Sequence, residues 1–208
     1  VLVPPWINKF YIMDLREKNS FIRWALAEGH SVFVLSWVNP GRNYRDVRID
    51  DYLLEGVIAA LDQVQAITGE RTVNMIGYCV GGMLLALTLA WLQARGESDR
   101  VASATFWATI FDFSDPGDIG VFIDEQIVGA IEKELERNGV FDGRMMAVAF
   151  SLLRENDLYW NYYVQNYLKG ERPIPFDLLY WNSDCTNLPA ATHKFLLREF
   201  YLGNKLRQ

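Results

Sequence analysis

The chain has 208 residues, with 20 Lys and Arg against 26 Asp and Glu, a formal net charge of −6. Half of it is hydrophobic and 14% aromatic, which excludes a disordered tail, a collagen-like repeat and a low-complexity linker. The acidic balance, with no basic run, argues against nucleic acid as the main ligand. Two cysteines, Cys79 and Cys185, are too few for a disulfide-stapled secreted fold and fit a reducing compartment.

In chain order, residues 1–3 read as the end of a core strand leaving through Pro4-Pro5, an opening expected of a segment cut from a longer protein. A helix is predicted over 20–28, with Phe21, Trp24 and Ala25 at helical spacing and Gly29 ending it. Residues 31–37 form a β-rich run closed by Asn39-Pro40-Gly41. Asp50 caps a long helix to Thr68, with Leu53, Leu54, Val57, Ile58 and Leu61 on one face and Gly69 after it. Strands follow over 72–76 and 101–109, with a helix over 81–94 between them. Residues 72–94 carry no charge and could just span a bilayer, where about 20 apolar residues suffice. Gly77, Gly81 and Gly82 interrupt the run, so it reads as buried strand, turn and buried helix, and no membrane span is expected. Strands alternating with helices predict an α/β protein with a parallel sheet covered on both faces.

The second half changes character. After Asp118 no buried strand is expected, and helical patterns cover 122–138, 143–153, 158–168 and 190–202. The division falls at 1–117 for the α/β core and 118–208 for a helical subdomain. Tyr159, Trp160, Tyr162, Tyr163, Tyr167, Phe176, Tyr180 and Trp181 cluster in it, either as a small aromatic core or as a cap lining an apolar pocket over the sheet.

The chemistry concentrates at Gly77-Tyr78-Cys79-Val80-Gly81-Gly82. This is G-x-C-x-G between a strand and a helix, the arrangement of a nucleophile elbow with Cys in place of Ser. Cys79 then stands at a helix N-terminus, where unpaired N–H groups and the helix dipole favour a thiolate. The Val80 N–H is aimed where an acyl oxyanion would form. A base is harder to find. His30 precedes the 31–37 run at the strand end opposite the elbow and reads as structural; His193 lies in the last helical pattern. Asp112 reads as a turn and capping residue of Asp112-Phe113-Ser114-Asp115-Pro116-Gly117. The general acid and base are expected to be absent from this chain.

Several blocks, unspecific singly, are specific in order. They are Val3-Pro4-Pro5-Trp6-Ile7-Asn8-Lys9-Phe10-Tyr11-Ile12-Met13-Asp14-Leu15, Gly29-His30-Ser31-Val32-Phe33, Ser36-Trp37-Val38-Asn39-Pro40 and Asp50-Asp51-Tyr52. The elbow follows, then Asn156-Asp157-Leu158-Tyr159-Trp160-Asn161-Tyr162, Asn166-Tyr167-Leu168-Lys169-Gly170 and Pro175-Phe176-Asp177-Leu178-Leu179-Tyr180-Trp181-Asn182-Ser183-Asp184. Over nearly its whole length the chain resembles the polyhydroxyalkanoate synthases, most closely the class I enzymes that polymerise short-chain 3-hydroxyacyl-CoA thioesters.

That resemblance implies an α/β-hydrolase fold with a mostly helical cap inserted after the last strand. It implies Cys79 as the nucleophile, acylated with release of coenzyme A, and Val80 as an oxyanion donor. A second donor is expected from the loop over 8–13. The family's catalytic Asp and His fall beyond Gln208 and a helical domain ahead of Val1, so these residues alone are expected to be inactive. No cofactor or metal is expected, the CoA thioester being the substrate. The implied partners are 3-hydroxyacyl-CoA, the growing polyester, the polymer granule surface and a second copy in a full-length homodimer, placing the protein in the cytoplasm at the granule. Two alternatives share these features: a Cys-type esterase or thioesterase of the same fold, and a non-catalytic fragment binding granules or partners.

Overall fold

The computed structural model describes residues 1–153, 159–172 and 178–207. The motif residues Asn156, Asp157 and Leu158, and Pro175, Phe176 and Asp177, lie outside them. Strands β1 (Leu2–Val3), β2 (Val73–Tyr78) and β3 (Val101–Trp107) form a parallel sheet in the order β1-β2-β3. Around it pack α1 (Phe21–Ala27), the continuous helix α2 (residues 49–68) and α3 (Val80–Ala94). The family-level expectation of an α/β fold with a parallel sheet holds.

The run over 31–37 is not a full strand. It makes one parallel bridge, Leu2 to Val34, in which the Leu2 N–H donates to the Phe33 carbonyl at 2.8 Å and the Leu35 N–H to the Leu2 carbonyl at 3.1 Å. The reason is local to its partner. β1 ends at Pro4-Pro5, which have no N–H to continue a ladder.

Helix α2 starts two residues earlier than the sequence suggests. Arg48, not Asp50, is its capping residue, and the Arg48 N–H donates to Asp51 Oδ2 at 2.7 Å. The middle of the helix, Tyr52–Ile58, is wound in the wider π form. Val57, Leu61 and Val64 are buried against the sheet while Leu54 faces out, as does Trp24 on α1. Helix α1 is capped by Ser20, whose Oγ accepts from the Arg23 N–H at 2.9 Å. Helix α3 is apolar on every side, and a helix of that kind belongs inside; Met83, Leu84, Leu85 and Leu92 are all buried.

Beyond a single-turn stretch at Gly117–Phe122 the chain is mostly helical. Helix α4 (Glu125–Asn138) begins three residues later than its apolar pattern, because Asp124 Oδ1 accepts from the Gln126 and Ile127 N–H groups and sets the first turn there. Two short strands that the sequence did not announce, β4 (Val140–Phe141) and β5 (Leu188–Pro189), pair antiparallel. At two residues each they are too short to show an alternating pattern. Helix α5 (Gly143–Leu153), α6 (Tyr163–Leu168, wide-turned), α7 (Leu178–Ser183) and α8 (residues 190–202) complete the described chain. Arg198 of α8 grips both carboxylate oxygens of Glu132 on α4 at 2.8 Å, a bidentate pair that joins the two helices. Of the aromatic cluster read from the sequence, Tyr159, Trp160, Tyr163, Tyr167 and Tyr180 are exposed, Tyr162 and Trp181 are half-buried, and Phe176 lies outside the described residues.

Candidate active site

The elbow forms where β2 runs out. The Cys79 N–H donates to the Trp107 carbonyl at 2.9 Å, extending the β2–β3 pairing by one residue. Cys79 then turns with φ 54° and ψ −127° straight into α3, for which it is the capping residue. A non-glycine residue held at positive φ costs on the order of 1–3 kcal/mol and persists only where its surroundings fix it. Here the surroundings are glycines. A Cβ on Gly77 would stand 2.5 Å from Gly82 Cα, and one on Gly81 would stand 2.1 Å from the Val3 carbonyl oxygen. The helix therefore lies directly on the end of β1. Gly82 makes room for Thr109, whose hydroxyl lies 3.3 Å from the Cys79 carbonyl and 3.2 Å from that of Trp107.

The Cys79 side chain is partly buried, with the Val80 backbone N–H close to it. These two influences oppose each other. Burial pushes the thiol pKa up, the Val80 N–H pulls it down, and burial is the larger. The N-terminal pull expected from the sequence is therefore present but outweighed, and the thiol needs a base, as is also expected from the sequence. Tyr201 of α8 lies within electrostatic range of Cys79, and burial together with that neighbour raises its phenol pKa to about 12. Tyr201 packs its ring against Phe113, centroids 4.7 Å apart, in the segment following β3. Neither Thr109 nor Tyr201 carried a sequence signal, since both reach the elbow by tertiary packing.

Neither histidine is brought to Cys79. His30 is exposed and lines a groove of about 430 Å³ together with Val1, Thr72 and Asn74, at the end of the strands away from the elbow. A second groove, about 400 Å³, lies between Trp37 and α2. Cys79 lines neither groove, so cavity size does not mark the site. His193 is buried, stacked on Phe141 with ring centroids 4.5 Å apart, and its Nδ1 has no hydrogen-bond partner. Burial lowers its pKa from 6.5 to about 4.

This histidine has a consequence for stability. Its folded pKa lies below its unfolded one, so the unfolded chain binds the extra proton first. Its contribution is complete above pH 6.5 and is lost as pH falls from 6.5 toward 4. The expected loss by pH 4 is about 3 kcal/mol at 1.36 kcal/mol per unit. Denaturant unfolding across that range checks it, and His193→Gln should flatten the slope.

Asp112 is engaged as the turn residue its sequence context suggests. Its Oδ1 accepts from the Ser114 N–H at 3.0 Å and from Asn204 Nδ2 at 2.9 Å, and its Oδ2 from Arg207 at 2.8 Å. These bonds hold its pKa at about 2. Among the described residues no group of three or more His, Cys, Asp and Glu is placed to hold a metal ion, and no helix is long and apolar enough to cross a membrane.

Comparison with known proteins agrees with the fold. The pattern of a family described as alpha/beta hydrolase fold matches residues 15–198, and that of the poly-beta-hydroxybutyrate polymerase (PhaC) N-terminus matches residues 1–25. The poly(3-hydroxyalkanoate) polymerase subunit PhaC of Rhizobium meliloti is 50% identical over 206 residues, covering 99% of this chain and 34% of the relative. The poly(3-hydroxyalkanoate) polymerase of Methylorubrum extorquens gives the same identity and coverage, 50%, 99% and 34%. The PhaC subunit of Cupriavidus necator is 43% identical over 212 residues, covering 100% of this chain and 36% of the relative. The chain thus spans about a third of the length of the curated relatives it matches. It belongs to the α/β-hydrolase fold family, and within that fold it is similar to the poly(3-hydroxyalkanoate) polymerases.

Proposed function

We propose that Cys79 is the nucleophile of an acyltransferase that takes 3-hydroxyacyl groups from coenzyme A and joins them into a polyester. The observation that supports it most is the elbow itself: a Cys held at φ 54° as the cap of α3, between glycines that let the helix lie against the end of β1. In the first step the thiolate adds to the thioester carbonyl. The oxygen that becomes negative is received by the Val80 N–H and a second N–H from the loop over 8–13. The tetrahedral centre collapses, the bond to the CoA sulfur breaks, and coenzyme A leaves with the proton Cys79 gave up. One thioester replaces another, so loading has no large thermodynamic barrier. The 3-hydroxyl of a second acyl unit then attacks that carbonyl: the ester C–O bond forms, the bond to Cys79 Sγ breaks, and the hydroxyl proton returns to the freed sulfur, while exclusion of water protects the acyl-enzyme from hydrolysis.

The base for Cys79 is a group other than His30 and His193, given where the two rings lie. The reading requires no cofactor or metal, because the CoA thioester is consumed as substrate. It also carries a cytoplasmic location at the polymer granule surface and a homodimeric whole enzyme. The exposed aromatic residues of α6, with Tyr163 stacked on Tyr167 at 5.2 Å, supply apolar surface for that setting.

The test is to give (R)-3-hydroxybutyryl-CoA to the complete reading frame containing these residues and to follow both coenzyme A release and product. Polymer is expected. Free 3-hydroxybutyrate as the only product assigns a thioesterase instead, and absence of coenzyme A release removes the acyltransferase reading altogether.

A further inference from the structure

The loop leaving β1 and helix α7 are tied together by three polar contacts, the two hydrogen bonds among them spanning 173 and 172 residues of chain. Lys9 Nζ lies 2.7 Å from Asp184 Oδ1. The Tyr11 hydroxyl donates to Asp184 Oδ2 at 2.8 Å, and the Trp181 indole N–H donates to the Lys9 carbonyl at 2.7 Å. One carboxylate thus takes both partners from alternate residues of the loop, and an indole fixes the carbonyl between them. In a trans peptide the C=O and N–H point opposite ways, so fixing the Lys9 carbonyl also fixes the direction of the Phe10 N–H. Lys9 and Tyr11 keep the Asp184 carboxyl below its usual range, while burial and Asp184 raise the Tyr11 phenol to about 12. Asp184 is therefore the charged acceptor and Tyr11 the neutral donor across the neutral pH range.

The ion pair by itself contributes little, since the Lys9 and Asp184 side chains remain 37% and 26% exposed. Its value is geometric. Residues 8–13, wound as a 3-10 turn over Phe10–Met13, follow in the chain the end of β1, where Gly81 lies against the Val3 and Pro4 carbonyls. None of the four residues hydrogen-bonds Cys79, so any effect on it passes through the backbone.

We infer that Lys9, Tyr11, Trp181 and Asp184 form a latch that seats α7 on the loop over 8–13 and holds in place the backbone from which the proposed function draws its second oxyanion donor. They are positioning residues for acyl transfer, and in that respect the inference rests on the reading proposed above. Asp184→Asn in the complete reading frame tests it, with amide hydrogen exchange and steady-state kinetics as separate readouts. Exchange over 8–13 should quicken about fivefold while 73–94 is unchanged, as expected for weakening one charge-assisted contact. Turnover should fall about tenfold with KM held within about twofold, the mark of an interaction made in the transition state. Lys9→Arg should keep both values near the parent and Lys9→Met should not. Tyr11→Phe, which deletes one bond, should fall between and serves if Asp184→Asn does not fold.

Unchanged exchange over 8–13 overturns the latch. Faster exchange with unchanged turnover overturns the positioning role. Undiminished coenzyme A release by Cys79→Ala overturns the acyl-transfer reading instead, and leaves the exchange result standing as the measure of the latch.

Discussion

Replacing Cys79 by Ala in the complete reading frame is expected to lower coenzyme A release and polymer formation by about 10³-fold or more, the scale of losing a covalent nucleophile. The fold should survive, because the substituted side chain is small and partly exposed and the backbone strain at φ 54° is set by the surrounding glycines. Cys185 is the internal control. It lies after α7 with its thiol donating to the Ser183 carbonyl at 3.4 Å, in no elbow and at no strained turn. Cys185→Ala should leave turnover within about twofold, consistent with an unactivated thiol. Circular dichroism and a melting curve on each variant separate lost chemistry from lost structure.

The second large effect is on stability. Gly81→Ala places a Cβ 2.1 Å from the Val3 carbonyl oxygen and 2.6 Å from that of Pro4. Both obstacles are backbone, so neither a rotamer change nor a flexible side chain can relieve them. Helix α3 must move off the end of β1, and a loss of about 3 kcal/mol is expected, at the upper end of overpacking costs. Gly129 within α4 gives the opposite outcome. Nothing lies within 4 Å of a Cβ added there, so Gly129→Ala should stabilise by about 0.5–1 kcal/mol through helix propensity. Urea unfolding of the two variants side by side checks the sign as well as the size. A neutral Gly81→Ala would show that the close approach of helix and strand is not needed.

What could be read from the sequence followed from how local each feature is. The elbow was legible because its requirements lie within six residues: glycines flanking a nucleophile, an apolar strand before it and an apolar helix after it. The start of α5 and the ends of α8 were legible because apolar spacing and turn residues mark them directly. The run over 31–37 was not, since its pairing is limited by where another strand stops, at Pro4. The burial of the Cys79 thiol was not legible for a similar reason. The helix N-terminus is visible in sequence, but the burial that outweighs it is made by distant elements, Tyr201 among the neighbours. The Lys9–Asp184 contact has no period or motif spacing at all, because it exists only once α7 is seated.

The central claim, that Cys79 carries the acyl group, is tested most directly by locating that group. The complete reading frame would be mixed with an acyl-CoA lacking the 3-hydroxyl, so that loading proceeds and elongation cannot. Digestion with trypsin at acidic pH then separates the peptide 72–95, which holds Cys79, from the one that holds Cys185. The account predicts one acyl group per chain, on peptide 72–95 and at the sulfur of Cys79. Coenzyme A release with peptide 72–95 unmodified, or with the acyl group on Cys185, would contradict it.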